Sequence, residues 1–223
     1  MDVIISILGG TGEQGPGMAL RWAKTGAQVI IGSRQRERAE RVAMELNQEL
    51  GQDLVQGMAN PEAAAAADVV ALTVPFSAHR STLEAVKPYL QEKILIDVCV
   101  PLDPENPRKM LLPPEGSATE EAQALLGEAV KVVAAFQNVS AHELRQLDHS
   151  IECDVLVCGN DREARQTVMR LVEQMGLHPV DAGLAYNARV VESITALLIG
   201  LNIRYKVKGS GLRLTGLPLM NSV

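Results

Sequence analysis

Residues 3–17, VIISILGGTGEQGPG, place an apolar run directly before a glycine-rich turn. Gly10, Gly12 and Gly15 fit the pattern G-x-G-x-x-G. In this pattern the first glycine supports a tight turn, the second admits a pyrophosphate to the backbone, and the third lets helix and strand pack closely. Because an apolar strand precedes the turn and an amphipathic helix follows it, we predict dinucleotide binding. The alternative is a glycine-rich turn that serves packing only, and a Walker loop is excluded because no GK[ST] follows.

Short β-branched runs alternate with helical patterns along the chain. The predicted strands are residues 3–8, 28–32, 69–74, 94–98, 131–136, 154–158 and 178–181. The predicted helices are residues 15–25, 34–50, 61–67, 79–90, 119–128, 162–175 and 184–205. Runs such as VVALTV are apolar on both faces, as in a parallel sheet that helices cover. The alternation predicts an α/β fold of the Rossmann type, with a doubly wound, mostly parallel sheet and a small C-terminal helical segment.

Two segments interrupt this alternation. Residues 101–114 contain five prolines and cannot form a regular helix or a central strand, so we predict a long loop. A capping box at Ser117 and Glu120 starts the next helix. The chain then ends in a helix and a glycine-rich tail. We place a nucleotide-binding domain at residues 1–182 and, at residues 183–223, a C-terminal segment that completes the substrate site.

The C-terminal helix carries more apolar surface than one sheet can cover. Residues 190–203, VVESITALLIGLNI, are apolar around most of the helix after Glu192. On a chain of this size, some of those faces stay exposed unless a second subunit covers them. We therefore predict a homodimer with twofold symmetry and this helix in its interface.

Composition limits the function classes. The net charge of −6 argues against nucleic-acid binding, which requires a basic face. The longest uncharged apolar helix candidate, residues 193–203, is far shorter than the ~20 residues that span a bilayer, so no membrane association is predicted. No basic leader precedes the first strand, and the three cysteines lie in apolar surroundings typical of buried free thiols. These features predict a cytoplasmic protein.

The end of the second predicted strand lacks the acid that selects NAD. In NAD-selective folds an Asp or Glu at this point hydrogen-bonds the ribose hydroxyls. Here the strand ends in Gly32-Ser33-Arg34. A carboxylate would repel a 2′-phosphate, whereas a hydroxyl and guanidinium groups would bind it. We therefore predict NADP rather than NAD as the cofactor.

The arginines that follow this strand fall into two groups. Arg36 has Glu40 one turn further on, and Arg41 has Glu37 one turn before it, so both are expected to form ordinary surface pairs. The other group, Arg34 and Arg38, needs a different explanation.

Arg38 has no acid three or four residues to either side. On a helix that starts at residue 34 it lies one turn beyond Arg34, and like charges at that spacing cost about 0.2–0.5 kcal/mol. A bound dianion would reverse the sign of this interaction. We predict that Arg34 and Arg38 bind the 2′-phosphate of NADP and that Ser33 caps the helix and binds the same phosphate.

Four motifs in this chain resemble the NADPH-dependent reductases of coenzyme F420, a 5-deazaflavin. They are GGTGEQGPGMALRWAKTGAQVIIGSR (9–34), LTVPF (72–76), VCGND (157–161) and NARVVESITALLIGLNIRY (187–205). The resemblance covers nearly the whole chain and keeps the order of the motifs. It implies an enzyme that transfers a hydride between NADP(H) and coenzyme F420. The GGTG and GSR motifs also occur in the soluble domain of the STEAP metalloreductases, so these two alone do not identify the second substrate.

The resemblance also implies binding residues. It implies that the pyrophosphate is bound by Thr11, Gly12, Glu13 and Gln14. It implies that the 2′-phosphate is bound by Ser33, Arg34 and Arg38. Val74, Pro75 and Val100 lie along the ribose and nicotinamide, at the carboxyl edge of the sheet, where open α/β folds bind ligands. Where the family has Trp after LTVP this chain has Phe76, and Gln137 replaces a His in a stretch like LHTIP. We predict a deazaflavin pocket formed by Phe76, Gln137, Asn138 and Val139 together with Gly209 and Gly211, whose backbone can approach a flat ring closely.

No catalytic side chain is predicted, because hydride transfer between two cofactors needs closeness, orientation and a dry site. The four histidines, among them His79, are expected to be surface or structural residues. They show no metal-ligand spacing with the cysteines, so no metal is predicted. Asp97 is expected to be a satisfied buried polar group, and Arg189 and Glu192 a surface ion pair.

Other functions remain open at this point. An NADPH-dependent flavin or metal reductase shares the glycine loop. A hydroxy-acid or imine reductase usually has a larger helical domain and often a catalytic Lys on its first long helix, whereas residues 184–205 contain none. A non-catalytic module would bind NADPH tightly without turnover.

Overall fold

The computed structural model describes residues 3–217, which form one eight-stranded sheet with helices on both faces. The strands are β1 (Ile4–Leu8), β2 (Gln28–Ser33), β3 (Val55–Ala59), β4 (Val69–Leu72), β5 (Ile94–Asp97), β6 (Lys131–Ala134), β7 (Asp154–Gly159) and β8 (His178–Gly183). The helices are α1 (Gln14–Lys24), α2 (Arg36–Leu50), α3 (Asn60–Ala66), α4 (His79–Val86), α5 (Ala118–Leu126), α6 (Ala141–Arg145), α7 (Arg162–Gln174) and α8 (Ala188–Tyr205).

The strand order explains where a ligand can enter. The strands lie in the order β3-β2-β1-β4-β5-β6-β7-β8, and every neighbouring pair is parallel except β6 and β7. From β1 the chain first builds outward to β3 and then returns to build outward from β4. The carboxyl ends of β1 and β4 therefore flank a crevice at the switch point. The predicted Rossmann-type α/β fold with a mostly parallel sheet is confirmed.

Two hydrophobic cores cover the two faces of the sheet. Trp22 of α1 and Val168 of α7 belong to the core on one face, and Leu83 of α4 and Ala122 of α5 to the core on the other. Helix α8 packs through Val191 against the ends of β6 and β7. No helix within residues 3–217 is long and apolar enough to cross a membrane.

The structure differs from the predicted elements in several places. Helix α4 ends at Val86 and not at residue 90, and α8 begins at Ala188 and not at residue 184. Strand β3 was missed because Gly57 interrupts its apolar pattern; a Cβ there would collide with the backbone of Glu40 in α2, so close helix packing requires the glycine. Helix α2 begins at Arg36, two residues later than predicted. The short α6 was not predicted. Residues 101–114 form the expected loop, pinned by a hydrogen bond from Leu111 N–H to the carbonyl of Pro101 (2.7 Å).

Candidate functional site

The turn between β1 and α1 is shaped by contacts that leave no room for side chains. Gly9 adopts a φ of 70°, and a Cβ on Gly10 would lie 2.6 Å from the carbonyl oxygen of Ile7. A Cβ on Gly15 would collide with the backbone of Gly10, so the third glycine lets α1 pack directly on the turn. The N-cap residue, Glu13, makes no side-chain capping bond, which leaves the N–H groups and positive dipole end of α1 available to an anion.

A cleft of about 580 Å³ lies beside this turn. Its lining includes Thr11, Gly12, Ser33, Arg34, Arg38 and Asn60. The three residues predicted to bind the 2′-phosphate therefore lie on one cleft together with part of the glycine turn. Asn60 was not among the residues predicted from the sequence. Its buried Oδ1 accepts the N–H of Gly9 (3.3 Å) and so joins α3 to the turn.

The geometry of the arginine wall differs from the prediction. Gln35 is extended and α2 starts at Arg36, so Arg34 precedes the helix and does not share a helical face with Arg38. Ser33 does not cap α2; its Oγ accepts the N–H of Gln35 at 3.2 Å in a tight turn. Both predictions are wrong because the extended residue delays the helix. Arg34 and Arg38 still line the same cleft, one from the strand end and one from the first turn of α2.

Charge pairing separates Arg36 from the arginines of the cleft. Arg36 forms ion pairs with Glu40, at 3.7 Å, and with Glu62 of α3, which confirms its predicted surface role. Among residues 3–217 no ion pair involves Arg34 or Arg38, and the predicted pair of Glu37 with Arg41 does not form. The cleft therefore carries two guanidinium groups without a protein counter-charge.

A second cavity, of about 680 Å³, continues from the cleft across the ends of β4 and β5. Gly12, Thr73, Val74 and Pro75 line both spaces. The predicted residues Val74, Pro75, Phe76, Val100, Gln137, Asn138 and Val139 all meet here, as do Glu13 and Gln14 of the turn. Helix α8 adds Thr195, Leu198, Ile199 and Asn202, which were missed because an apolar helix pattern indicates packing and does not reveal which face meets a cavity.

Gln137 is buried in the cavity wall. Its side-chain nitrogen donates to the backbone carbonyl of Asp97 (2.7 Å). Its backbone carbonyl accepts the hydroxyl of Thr195 (2.7 Å). Its Oε1 is buried and has no hydrogen-bond partner within the described residues. One side-chain N–H of Gln137 is thus used within the protein. The side-chain atom without a partner, Oε1, is a hydrogen-bond acceptor.

The loop around Gln137 is fixed from several sides. Asn138 donates from Nδ2 to the carbonyl of Asp154 (2.6 Å). Gln14 donates to the carbonyls of Phe136 and Val139 (3.2 and 3.4 Å), so the glycine turn and this loop touch directly. The two predicted binding segments form one continuous wall.

Gly209 and Gly211 lie beside the cavity and do not line it. A Cβ on Gly209 would collide with the side chain of Glu143, and one on Gly211 would lie 2.9 Å from Cβ of Cys153. The tail reaches the cavity through Lys208 and Ser210 instead.

His79, at the start of α4, is fully buried between two acids. Its Nε2 lies 2.8 Å from Asp97 and its Nδ1 lies 3.2 Å from Glu121. Burial by itself lowers the pKa of His79, but the charges and hydrogen bonds of Asp97 and Glu121 outweigh it and raise the pKa to about 9. Cys99 lies beside this group, and burial raises the pKa of its thiol well above the ordinary value. Both ring nitrogens of His79 therefore face carboxylates, and Asp97 is a hydrogen-bonded buried group, as predicted.

The predicted ion pair of Arg189 with Glu192 is wrong. Arg189 pairs with Glu120 of α5 (2.7 Å). Glu192 is fully buried and accepts the N–H groups of Ala118 and Thr119, at 2.9 and 3.1 Å, at the start of α5. Burial raises its pKa to about 7. The spacing of Arg189 and Glu192 along α8 could not reveal that both side chains contact α5 instead of each other.

Comparison with known proteins decides the family. A family model described as NADP oxidoreductase coenzyme F420-dependent matches residues 4–101. The F420-dependent NADP reductase of Methanocaldococcus jannaschii is 45% identical, over 96% of this chain and 99% of its own. The chain belongs to the F420-dependent NADP reductase family. Its relative of that name from Methanothermobacter thermautotrophicus is 42% identical, over 98% of this chain and 97% of its own.

A solved structure of this family has the same architecture. A putative F420-dependent NADP reductase from Arthrobacter sp. superposes with a TM-score of 0.81 at 26% identity, and the match covers 95% of this chain and 99% of the other. The similarity in fold therefore extends over nearly the whole of both chains.

Proposed function

We propose that this protein transfers a hydride between NADP(H) and the deazaflavin coenzyme F420. The observation that carries the proposal is the shared lining of the two spaces. Gly12, Thr73, Val74 and Pro75 border both the arginine-lined cleft and the cavity across the ends of β4 and β5. A dinucleotide that spans them has its phosphates at the glycine turn and its reactive ring in the cavity, beside room for a second ring.

The residues of the cleft fit NADP(H). At the turn, Gly10, Thr11, Gly12, Glu13, Gln14 and Gly15 form the pyrophosphate site, where free N–H groups and the dipole of α1 favour an anion. Ser33, Arg34 and Arg38 form the 2′-phosphate site, supported by the absence of a counter-charge for either arginine within residues 3–217. Val74, Pro75 and Val100 form the wall for the nicotinamide and its ribose.

The remaining cavity wall fits a flat second ring. Phe76, Asn138 and Val139 contribute to it, and Gln137 brings a buried acceptor without a partner. Gly209 and Gly211 do not face the cavity, so we revise their role: they let the tail pass close to Glu143 and Cys153 and thereby place Lys208 and Ser210 at the cavity.

When both molecules are bound, NADP(H) and the deazaflavin together supply the hydride chemistry, and no protein nucleophile or base takes part. The residues of this chain bind, orient and exclude water. Both ring nitrogens of His79 are engaged by buried carboxylates. The thiol of Cys99 is protonated because burial raises its pKa. Leu102 brings the proline-rich loop to the cavity, and we propose that residues 101–114 close over it as a lid.

We also propose that the protein is a homodimer through α8 and is cytoplasmic. Val190, Ile194, Leu197 and Leu201 follow a heptad pattern along one side of α8. The side chains of Val190 and Leu197 are 63% and 60% exposed. A second copy of this helix is the natural cover for such a stripe. The three buried free cysteines support a reducing compartment.

Isotope transfer tests the proposed reaction. NADPH deuterated at the transferred position is mixed with the protein and F420, and the label is followed into the reduced deazaflavin. We expect direct transfer without exchange with water. Label lost to solvent would contradict direct transfer, and turnover only with flavins, imines or hydroxy acids would favour the other reductases. NADPH binding without any turnover would indicate a non-catalytic module.

A further inference from the structure

A closed circuit of buried hydrogen bonds runs behind the walls of the cavity. His79 of α4 bonds Asp97 at the end of β5 (2.8 Å) and Glu121 of α5 (3.2 Å). The backbone carbonyl of Asp97 accepts the side-chain nitrogen of Gln137 (2.7 Å), and the carbonyl of Gln137 accepts the hydroxyl of Thr195 on α8 (2.7 Å). The path therefore crosses from α4 to α8 through the end of β5 and the loop at Gln137.

The circuit closes through α8 and α5. Glu192 lies one turn before Thr195 and accepts the N–H groups of Ala118 and Thr119 at the start of α5. The same helix carries Glu121, which returns the path to His79. The circuit thus joins five segments: α4, the end of β5, the loop at Gln137, α8 and α5. The loop at Gln137 and α8 line the cavity, and the residues next to α4 and β5, at 74–76 and 98–100, line it as well.

His79 stands between the two segments that form the proposed nicotinamide wall. Residues 74–76 lead into α4, where the ring of Phe76 lies 5.4 Å from that of His79. Residues 98–100 follow Asp97 directly. His79 does not line the cavity itself, so it acts on this wall only through other residues.

We propose that His79 is a positioning residue for hydride transfer. Through its paired contacts with Asp97 and Glu121 it fixes the separation of two cavity walls, residues 74–76 and residues 98–100. This proposal rests on the function proposed above. A fully buried cation between two carboxylates is costly to disrupt, because removing it leaves uncompensated charge in the interior. The walls are therefore stiff, and hydride transfer is sensitive to small displacements of the two rings.

The groups that face His79 define its pH response. Asp97 approaches from β5 and Glu121 from α5, and Arg80 lies 3.4 Å from Glu121 on the solvent side. Cys99 lies beside Asp97 with a protonated thiol, and Phe76 offers only an apolar ring. Deprotonation of His79 removes the cation from between its two partners, so the walls should loosen at alkaline pH.

The test compares His79→Gln and Asp97→Asn with His178→Gln. His178 also pairs with a carboxylate, Asp154 (3.0 Å), but on β8 at the far edge of the sheet. We expect His79→Gln to lower kcat with F420 by about tenfold or more and to weaken NADPH binding, measured by nicotinamide fluorescence. We expect the control to change neither. In the unsubstituted protein NADPH affinity should fall as pH rises through about 9, and His79→Gln should abolish this dependence.

A double-mutant cycle separates this role from general destabilisation. Thr195→Val cuts the same circuit elsewhere, so its effect on kcat should be much smaller in the His79→Gln background than alone. Additive effects, or a folded His79→Gln protein with unchanged kcat and NADPH affinity, would overturn the proposal. If His79→Gln does not fold, Glu121→Gln, which keeps the Asp97 contact, should show the same pattern at smaller size. Failure of the unsubstituted protein to reduce F420 would contradict the proposed function, whereas the NADPH fluorescence titrations test His79 independently.

Discussion

The side chain of Gln137 donates a hydrogen bond of 2.7 Å to the backbone carbonyl of Asp97 and thereby ties the loop after β6 to the end of β5. Glutamine has both a donor nitrogen and an acceptor oxygen, and here the nitrogen serves the protein. The oxygen stays buried and without a partner among residues 3–217.

Replacing Gln137 should affect the deazaflavin more than the chemistry. We expect Gln137→Ala to raise the KM for F420 about tenfold, since a lost hydrogen bond costs roughly 1 kcal/mol or more. The rise in KM should exceed the fall in kcat. The lost acceptor removes binding that is uniform between ground state and transition state, whereas the lost hydrogen bond to Asp97 lowers kcat only through the circuit proposed above. Steady-state kinetics measures both constants. Gln174→Ala, on the exposed end of α7, is the matched control, and equal effects of the two substitutions would contradict a site at Gln137.

Replacing Arg34 should change cofactor selectivity. A charge-assisted bond to a phosphate contributes about 1.5–3 kcal/mol, so Arg34→Asp should weaken NADPH binding by roughly one to two decades. NADH binding should change little because it lacks the 2′-phosphate. Binding is measured by nicotinamide fluorescence. Arg36→Ala is the control, since Arg36 already pairs with Glu40 and Glu62. If it weakened NADPH as much as Arg34→Asp, the phosphate site would be elsewhere.

The raised pKa of His79 predicts a loss of stability at alkaline pH. The folded pKa is about 9 and the unfolded value 6.5, so the contribution is fully present below 6.5 and is lost as pH rises through 9. Its size is on the order of 3 kcal/mol. The free energy of unfolding, from urea titrations, should therefore fall between pH 7.5 and pH 10. This window lies above the pKa of Glu192, about 7. Burial also raises the pKa of the thiols of Cys99, Cys153 and Cys158 above 9.0, so these groups lower stability in the same window. The contribution of His79 is therefore the difference between the unsubstituted protein and His79→Gln. A decline that persists unchanged in His79→Gln would assign it to another group.

The apolar stripe of α8 predicts a dimer that a single charge disrupts. Light scattering should give about twice the 24.0 kDa mass of one chain at micromolar concentration. Leu197→Glu places a charge in the middle of the stripe and should shift the mass towards the monomer. Met44→Glu, at an equally exposed apolar residue of α2, should leave the mass unchanged. A monomeric unsubstituted protein would refute the interface.

Local pattern in the sequence was enough for the fold and for the nucleotide turn. The apolar strand before Gly10, the glycine spacing and the alternation of strands and helices are properties of short segments, which nearby residues largely determine. The missing acid at the end of β2 and the lack of counter-charges around Arg38 are local in the same sense. The family resemblance added the proposed site for the second ring, at Phe76 and the 137–139 loop.

Contacts between distant segments decided the rest. Strand β3 depends on a helix that packs on Gly57, and Ser33 lost its predicted capping role because an extended Gln35 delays α2. Glu192 bonds residues more than seventy positions away in the chain. The surroundings of His79 come from three separate elements. Hydrogen bonds and ion pairs of this kind leave no periodic mark in the sequence, because only the folded sheet brings their partners within reach.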